Sequence, residues 1–519
     1  MPPTFVTPTG RSGAPPASRA REYARLIVER TAIAHLLAGD PSRASGGRSL
    51  PAGLGHGHAG LALLHLHAAR AGIGDHATAF AHIREAVTIA HREPYPGAGL
   101  FDGAGGVAMV LAECARDEPR FRPSLVRLHE RLARQLLDTP FPQVLGVPSR
   151  RASGARAGYD LLSGAAGTLV HLASVETPGA AVTAALHHLT DALIHLTATL
   201  PGTPTPGTSA AFGSDFASGS DFASGSDFAS RLGRPSAASV ACGLAGVAAA
   251  LAAAWRAGHR RPGHRQALDI LTRRILDAAT VDRHGPLWPD GLPWRANGDA
   301  SSPGALSGEG AWADALPHDA PAAFAPSREA PAIGEPVGGE PSAGEWAGGK
   351  PSAGEPVGGE SAVEGPVGGE SAAGESHCGP PGWCHGGPGV CGGLLAVAEA
   401  TCDEGVRRRA VEGFEGVLWR ARDTKILSPA LCHGLSGILA LCLEFAAVSG
   451  AAREAVPELL DELLDRGDPG LPFVFTDPEA PGDSADDPGL LTGAAGVALT
   501  LLAATAGQRA EWPRAFLTR

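Results

Sequence analysis

The chain has 519 residues, a formal net charge of −12, 20 His and 8 Cys. Eight cysteines in so long a chain are too few for a disulfide framework, and no basic patch offers itself to nucleic acid. The acidity is local: residues 335–375 carry eight Glu against Lys350, a net of −7, and the remainder is close to neutral.

The first twenty residues, MPPTFVTPTGRSGAPPASRA, lack the apolar core of a secretory signal, and no apolar run is long enough to span a bilayer. A reducing cytoplasm is the expected setting, where clustered Cys and His mark metal or catalytic sites. Residues 1–18 are expected to be disordered. From there to 519 the pattern predicts a single domain interrupted by two low-complexity insertions, 201–237 with its GSDFAS repeat and the Gly/Pro/Ser/Glu-rich 296–377.

Along the chain, Gly-x-x-Gly recurs seven times, at 57–60, 103–106, 164–167, 243–246, 386–389, 434–437 and 493–496. The two widest gaps are the ones holding the low-complexity segments, so the underlying period is about 45–60 residues. Each Gly-x-x-Gly opens an apolar run rich in Ala and Leu, such as LALLHLHAA, VAAALAAAW and VALTLLAA. That composition favours helix, and a helix apolar all round is a buried one. Between these runs lie charged amphipathic stretches, among them SRAREYARLIVERTAIAHLLAG and PSLVRLHERLARQLLD. The alternation predicts an all-α protein, a double α/α toroid of about seven inner and seven outer helices. Strand signals are sparse, LPFVFTD at 471–477 being one of the few.

In such a toroid the inner helices begin around one mouth. The residues just before each Gly-x-x-Gly are His56, Asp102, Ser163, Cys242, His385, His433 and Thr492. Asp102, Ser163 and Thr492 are candidate helix N-caps; capping does not account for the His and Cys. One position earlier, only the fifth and sixth repeats carry Cys, as Cys384 in GWCHG and Cys432 in LCHG. Cys384, His385, Cys432 and His433 are therefore candidate zinc ligands: four would make a closed structural site, three a catalytic one. Two buried Cys with two solvent-facing His is the alternative. Cys378 and Cys391 are bystanders, and Cys114, Cys402 and Cys442 read as small core residues.

Trp-Cys-x-Gly-x-Pro-Gly followed by Cys-His-Gly-x-x-Gly, within seven Gly-x-x-Gly repeats, resembles the lanthionine synthetase C-like family, the cyclases of lantibiotic biosynthesis. The resemblance implies a double α-toroid with one zinc ion per chain on Cys384, Cys432 and His433. It implies that precursor-peptide Cys thiols add to dehydroalanine or dehydrobutyrine, giving lanthionine or methyllanthionine thioether rings. It implies as partners a dehydrated precursor peptide with its leader, a dehydratase and a transporter complex. The last would put a cytoplasmic enzyme at the membrane periphery. No dehydratase or kinase-like region precedes the repeats, so the chain resembles the stand-alone cyclases.

The chain also departs from the family pattern. Relatives usually have a proton-transferring His where Cys242 stands, an Arg at Pro380 and a Tyr at His385. The third-repeat Asp, near the active site in the family, is kept as Asp160. Asp160, Cys242 and His385 are thus the catalytic candidates, with His56 a third option for the missing His. These departures suit two other classes of function as well. One is a non-catalytic scaffold that binds zinc and leader peptide. The other is a different zinc–thiolate alkylation, such as glutathione addition to dehydroamino acids or prenyl transfer.

Overall fold

The computed structural model describes residues 15–32, 52–92, 97–139, 158–200, 238–288, 382–423, 426–478, 486–506 and 512. Both expected insertions lie outside these residues, as do Cys378 and Pro380. The N-terminal boundary expected at residue 18 falls inside the first helix, which starts at Pro16.

Among the described residues there are fourteen α-helices, and inner and outer helices alternate along the chain. The outer ones are α1 (Pro16–Thr31), α3 (His76–Arg92), α5 (Arg122–Asp138), α7 (Ala180–Ala198), α9 (His264–Asp277), α11 (Glu404–Asp423) and α13 (Gly450–Leu464). The inner ones are α2 (His58–Arg70), α4 (Ala104–Asp117), α6 (Ala165–Ala173), α8 (Leu244–Arg256), α10 (Gly387–Thr401), α12 (Leu435–Phe445) and α14 (Ala494–Thr505). Each inner helix packs on the next inner helix, and α14 returns to α2, which closes the circuit. Every inner helix also packs on the outer helix that follows it, except α14, whose outer partner is α1. The two ends of the chain thereby complete the double ring.

The sequence explains which helix goes where. In α6 all nine residues are buried, and in α8 only Ala253, Trp255 and Arg256 are not. These Ala/Leu helices have no wet face to offer, so both sides must meet other helices. In α5, by contrast, the buried residues are His129, Leu132, Ala133 and Leu136, a stripe at helical spacing. The core fills the space between the rings, for example where Phe414 of α11 stacks on Phe445 of α12 at 4.1 Å between centroids.

The last glycine of each repeat sits in the first turn of its inner helix, and the loop before the helix folds back across it. A Cβ at Gly389 would stand 1.9 Å from the Trp383 carbonyl oxygen. At the corresponding glycine of the other six repeats the distance is 2.0–2.4 Å, always to the carbonyl six residues earlier. Backbone approaches backbone here, so only glycine fits.

The expected strand LPFVFTD is not one. Residues 471–477 form turns and irregular chain, with Val474 at φ 70°, a left-handed conformation no strand admits. The only strands among the described residues are β1 (Thr280–Asp282) and β2 (Gly285–Leu287), an antiparallel hairpin pairing Thr280 with Leu287. Arg420 of α11 fastens it through Asp282 at 2.6 Å, and that hydrogen-bonded partner holds the Asp282 carboxyl down at about 2. All the described residues belong to one compact unit.

Candidate active site

The loops that enter the inner helices are joined in a second circle, made of backbone hydrogen bonds. Gly55 N–H donates to Phe101 O (2.8 Å), Phe101 N–H to Leu162 O (2.8 Å) and Leu161 N–H to Ala241 O (3.0 Å). Ala241 N–H donates to Cys384 O (3.1 Å), Cys384 N–H to Cys432 O (3.0 Å) and Cys432 N–H to Leu491 O (2.8 Å). Leu491 N–H closes the circle on Gly55 O (2.9 Å). Beneath it, Trp383 of the fifth repeat meets Phe101 of the second across the ring, 5.7 Å between centroids.

Side chains alternate along these loops. Phe101, Ala241, Cys384 and Leu491 are buried, whereas His56, Asp102 and Cys242 are exposed and Ser163, His385, His433 and Thr492 are half-buried. The residue before each Gly-x-x-Gly thus reaches the solvent side, as its register requires. None of them caps a helix: the N-cap is the following glycine, with no side-chain bond to the helix. Ser163 Oγ instead donates to Asp102 Oδ2 at 2.6 Å. Thr492 Oγ1 donates to Asp487 Oδ2 and lies 3.3 Å from His56 Nδ1. Burial pushes the Asp487 carboxyl up, but bonds from His56, Thr492 and the Gly489 N–H outweigh it and hold it below its ordinary value.

The six candidate residues fall on four consecutive repeats, the third to the sixth. Asp160 is buried, and its Oδ1 accepts from the Ser163 N–H (2.6 Å) and the Gly164 N–H (3.0 Å). It shapes the loop that presents Ser163. Cys242 is exposed, and its N–H donates to Ser239 Oγ at 3.4 Å. Cys384 is buried, and His385 Nδ1 lies 3.1 Å from its Sγ. Gly386 turns the chain after this pair at φ 95°, a conformation that favours glycine. The Cys384 thiol is pushed well up, chiefly by its hydrogen bond with the Cys432 thiol and then by burial. Cys391 is buried inside α10, and Cys114 and Cys442 are core residues; Cys402 is exposed, in the left-handed cap that ends α10.

His433 Nε2 stands 2.8 Å from Asp477 Oδ2. Nothing in the sequence pattern pointed to Asp477, which lies in the stretch that reads as a strand. Among the described residues no group of three or more His, Cys, Asp or Glu is gathered so as to hold a metal. The donor types of the fifth and sixth repeats are those zinc takes: the interacting thiols of Cys384 and Cys432, and the imidazole of His433, which follows Cys432 in the chain.

A model of the lanthionine synthetase C-like proteins matches residues 48–313 and 368–517, and the chain belongs to that family. Among solved structures, nisin cyclase is similar at 19% sequence identity and a TM-score of 0.55, over 90% of this chain and 92% of that one. The likeness shows a shared fold. No curated protein matches. No helix among the described residues is long and apolar enough to cross a membrane.

Proposed function

We propose that this chain is a zinc-dependent lanthipeptide cyclase, adding Cys thiols of a dehydrated precursor peptide to dehydroalanine or dehydrobutyrine. The observation that carries the reading is the direct backbone bond between Cys384 and Cys432, which joins the two Cys-His motifs of a family member on neighbouring loops. Cys384, Cys432 and His433 would hold the zinc. Bound there, zinc supplies the positive charge that turns a substrate thiol into a thiolate at neutral pH.

The chain's own residues have three further tasks. The half-buried and exposed residues of the loops meet the peptide. Trp383 and Phe101 close the floor. A proton must reach the substrate Cα once the thiolate has added to Cβ, and Cys242, on the loop joined to Cys384 through Ala241, or His385, beside the Cys384 thiol, would give it. Asp160 holds the third loop in place. A leader on the peptide, a dehydratase that prepares it, a transporter complex and a cytoplasmic setting complete the proposal.

The test is ring closure on a synthetic peptide carrying one dehydroalanine and one cysteine a few residues apart, followed by loss of alkylatable thiol. The wild type should consume the thiol without change of mass. Cys242→Ala or His385→Ala should slow closure by about 10²–10⁴-fold, whichever carries the proton. Unchanged rates in both variants would remove these two from proton transfer. The scaffold reading, which keeps zinc and leader binding, draws on Cys242 and Pro380 standing where the family usually has His and Arg. It expects peptide binding with no thiol consumed.

A further inference from the structure

We propose that His56 is a further catalytic residue, the base that takes the proton of the substrate thiol. The inference rests on the cyclase reading above and concerns the other half of its proton balance. The S–H bond breaks and Nε2 of His56 gains the proton. The sulfur, left as thiolate, adds to Cβ of the dehydroamino acid. Cα is protonated separately, and His56 returns its proton to water.

The first observation is a relay behind the imidazole. The His56 side chain is 53% exposed, whereas that of Asp487 is 20% exposed. His56 Nδ1 lies 3.3 Å from Thr492 Oγ1 and 3.5 Å from Asp487 Oδ2. The Thr492 hydroxyl gives its single proton to Asp487 Oδ2, so toward His56 it can only accept. Nδ1 therefore carries the ring proton and Nε2 the lone pair, the form in which an imidazole is a base. The Asp487 carboxylate, behind the ring, stabilises the imidazolium that forms when Nε2 takes a proton. Its Oδ1 accepts from the Gly489 N–H (2.6 Å), and its carbonyl accepts from the Ala494 N–H (2.9 Å) at the start of α14. A Cβ on Gly489 would stand 3.1 Å from His56 Cα, so the first and seventh loops lie in contact here.

The second observation is the width of the mouth. Seven backbone hydrogen bonds join the loops into one closed circle. Hydrogen-bonded neighbours stand about 5 Å apart, which makes the circle only about 11 Å across. His56 follows Gly55 of that circle, and Cys432 is two steps away through Leu491. At that width a thiol held over the circle stands within reach of the imidazole. Of the other two imidazoles at the mouth, His433 is a proposed zinc ligand and His385 lies against the Cys384 thiol.

The experiment is ring closure by the full chain on two synthetic peptides, one with cysteine and one with selenocysteine, each a few residues from a dehydroalanine. A selenol is already ionised at neutral pH and needs no base. His56→Ala should close the cysteine peptide about 10²–10⁴-fold more slowly than wild type, in kcat rather than KM, and the selenocysteine peptide nearly as fast. Added imidazole should restore part of the lost rate. Thr492→Val, which keeps the shape and removes the hydroxyl, should show a smaller loss with the same preference, and it serves if His56→Ala does not fold. NMR of the nitrogen-labelled protein gives a readout independent of turnover: the imidazole absent from His56→Ala should be protonated at Nδ1 in wild type. Wild-type rates in the folded variants, equal losses on both peptides, or a neutral ring protonated at Nε2 would overturn the role and leave the cyclase reading standing. A wild type that closes neither peptide would overturn both.

Discussion

At the scale of single residues, the seven repeated glycines set the geometry on which the site depends. Gly389 lets the loop bearing Trp383 and Cys384 lie directly on the first turn of α10, and a Cβ there would also come within 2.6 Å of Val240 Cγ1. The opposing carbonyl belongs to the backbone and cannot step aside as a flexible side chain would. Gly389→Ala should therefore lower stability by about 3 kcal/mol. Urea unfolding followed by circular dichroism checks this, and an unchanged midpoint would show that the contact is relieved at no cost. The glycines and the paired Cys were legible in the sequence because identical local geometry recurs with identical residues. Asp477 was not legible. Its partner is set by how the segment after α13 returns to the ring, and alternation in LPFVFTD mimics a strand that Val474 forbids.

At the scale of elements, α1 does two jobs. It covers α14 and so closes the outer ring, and it braces residues 467–475 below Asp477. Tyr23 Oη donates to Gly467 O at 3.2 Å, and Arg30 reaches Pro469 O at 2.6 Å. Arg30→Ala should leave the helices intact while loosening this segment. Thermolysin should then cut among Leu471, Phe473 and Phe475 faster than in wild type, as read by mass spectrometry of the fragments. An unaltered cleavage rate would show that the brace is carried elsewhere. The helix pattern was readable because apolar-all-round and one-sided sequences differ. The exception is α7, AAVTAALHHLTDALIHLTA, whose apolar residues spread well round the helix although it lies in the outer ring. Its place is fixed by its neighbours α5, α6 and α9 rather than by its own polarity.

Across the whole molecule, inner and outer rings meet through buried histidines. His58 Nδ1 lies 3.0 Å from His82 Nδ1, and His129 Nε2 lies 3.0 Å from His171 Nε2. These pairings, like that of His433 with Asp477, are tertiary and leave no mark in the local sequence. Burial pushes His129 down to about 4, and burial together with His129 pushes His171 down to about 3. Both are neutral in the folded protein at neutral pH, while in the unfolded chain each titrates near 6.5. Between those values the unfolded state binds more protons, so stability is complete above about pH 6.5 and falls as pH drops toward 4. Each histidine contributes a slope of at most about 1.4 kcal/mol per pH unit. The urea midpoint should accordingly fall from pH 7 to pH 5, and less steeply in a His129→Leu/His171→Leu double variant. Equal slopes in the two proteins would contradict this account of the pair.

The central claim is that the two Cys-His loops share one zinc ion. Metal analysis of purified wild type beside Cys432→Ala tests it most directly. Purified wild type should carry about one zinc per chain, and the folded variant none. A folded wild type without zinc, or a variant that keeps it, would contradict the claim.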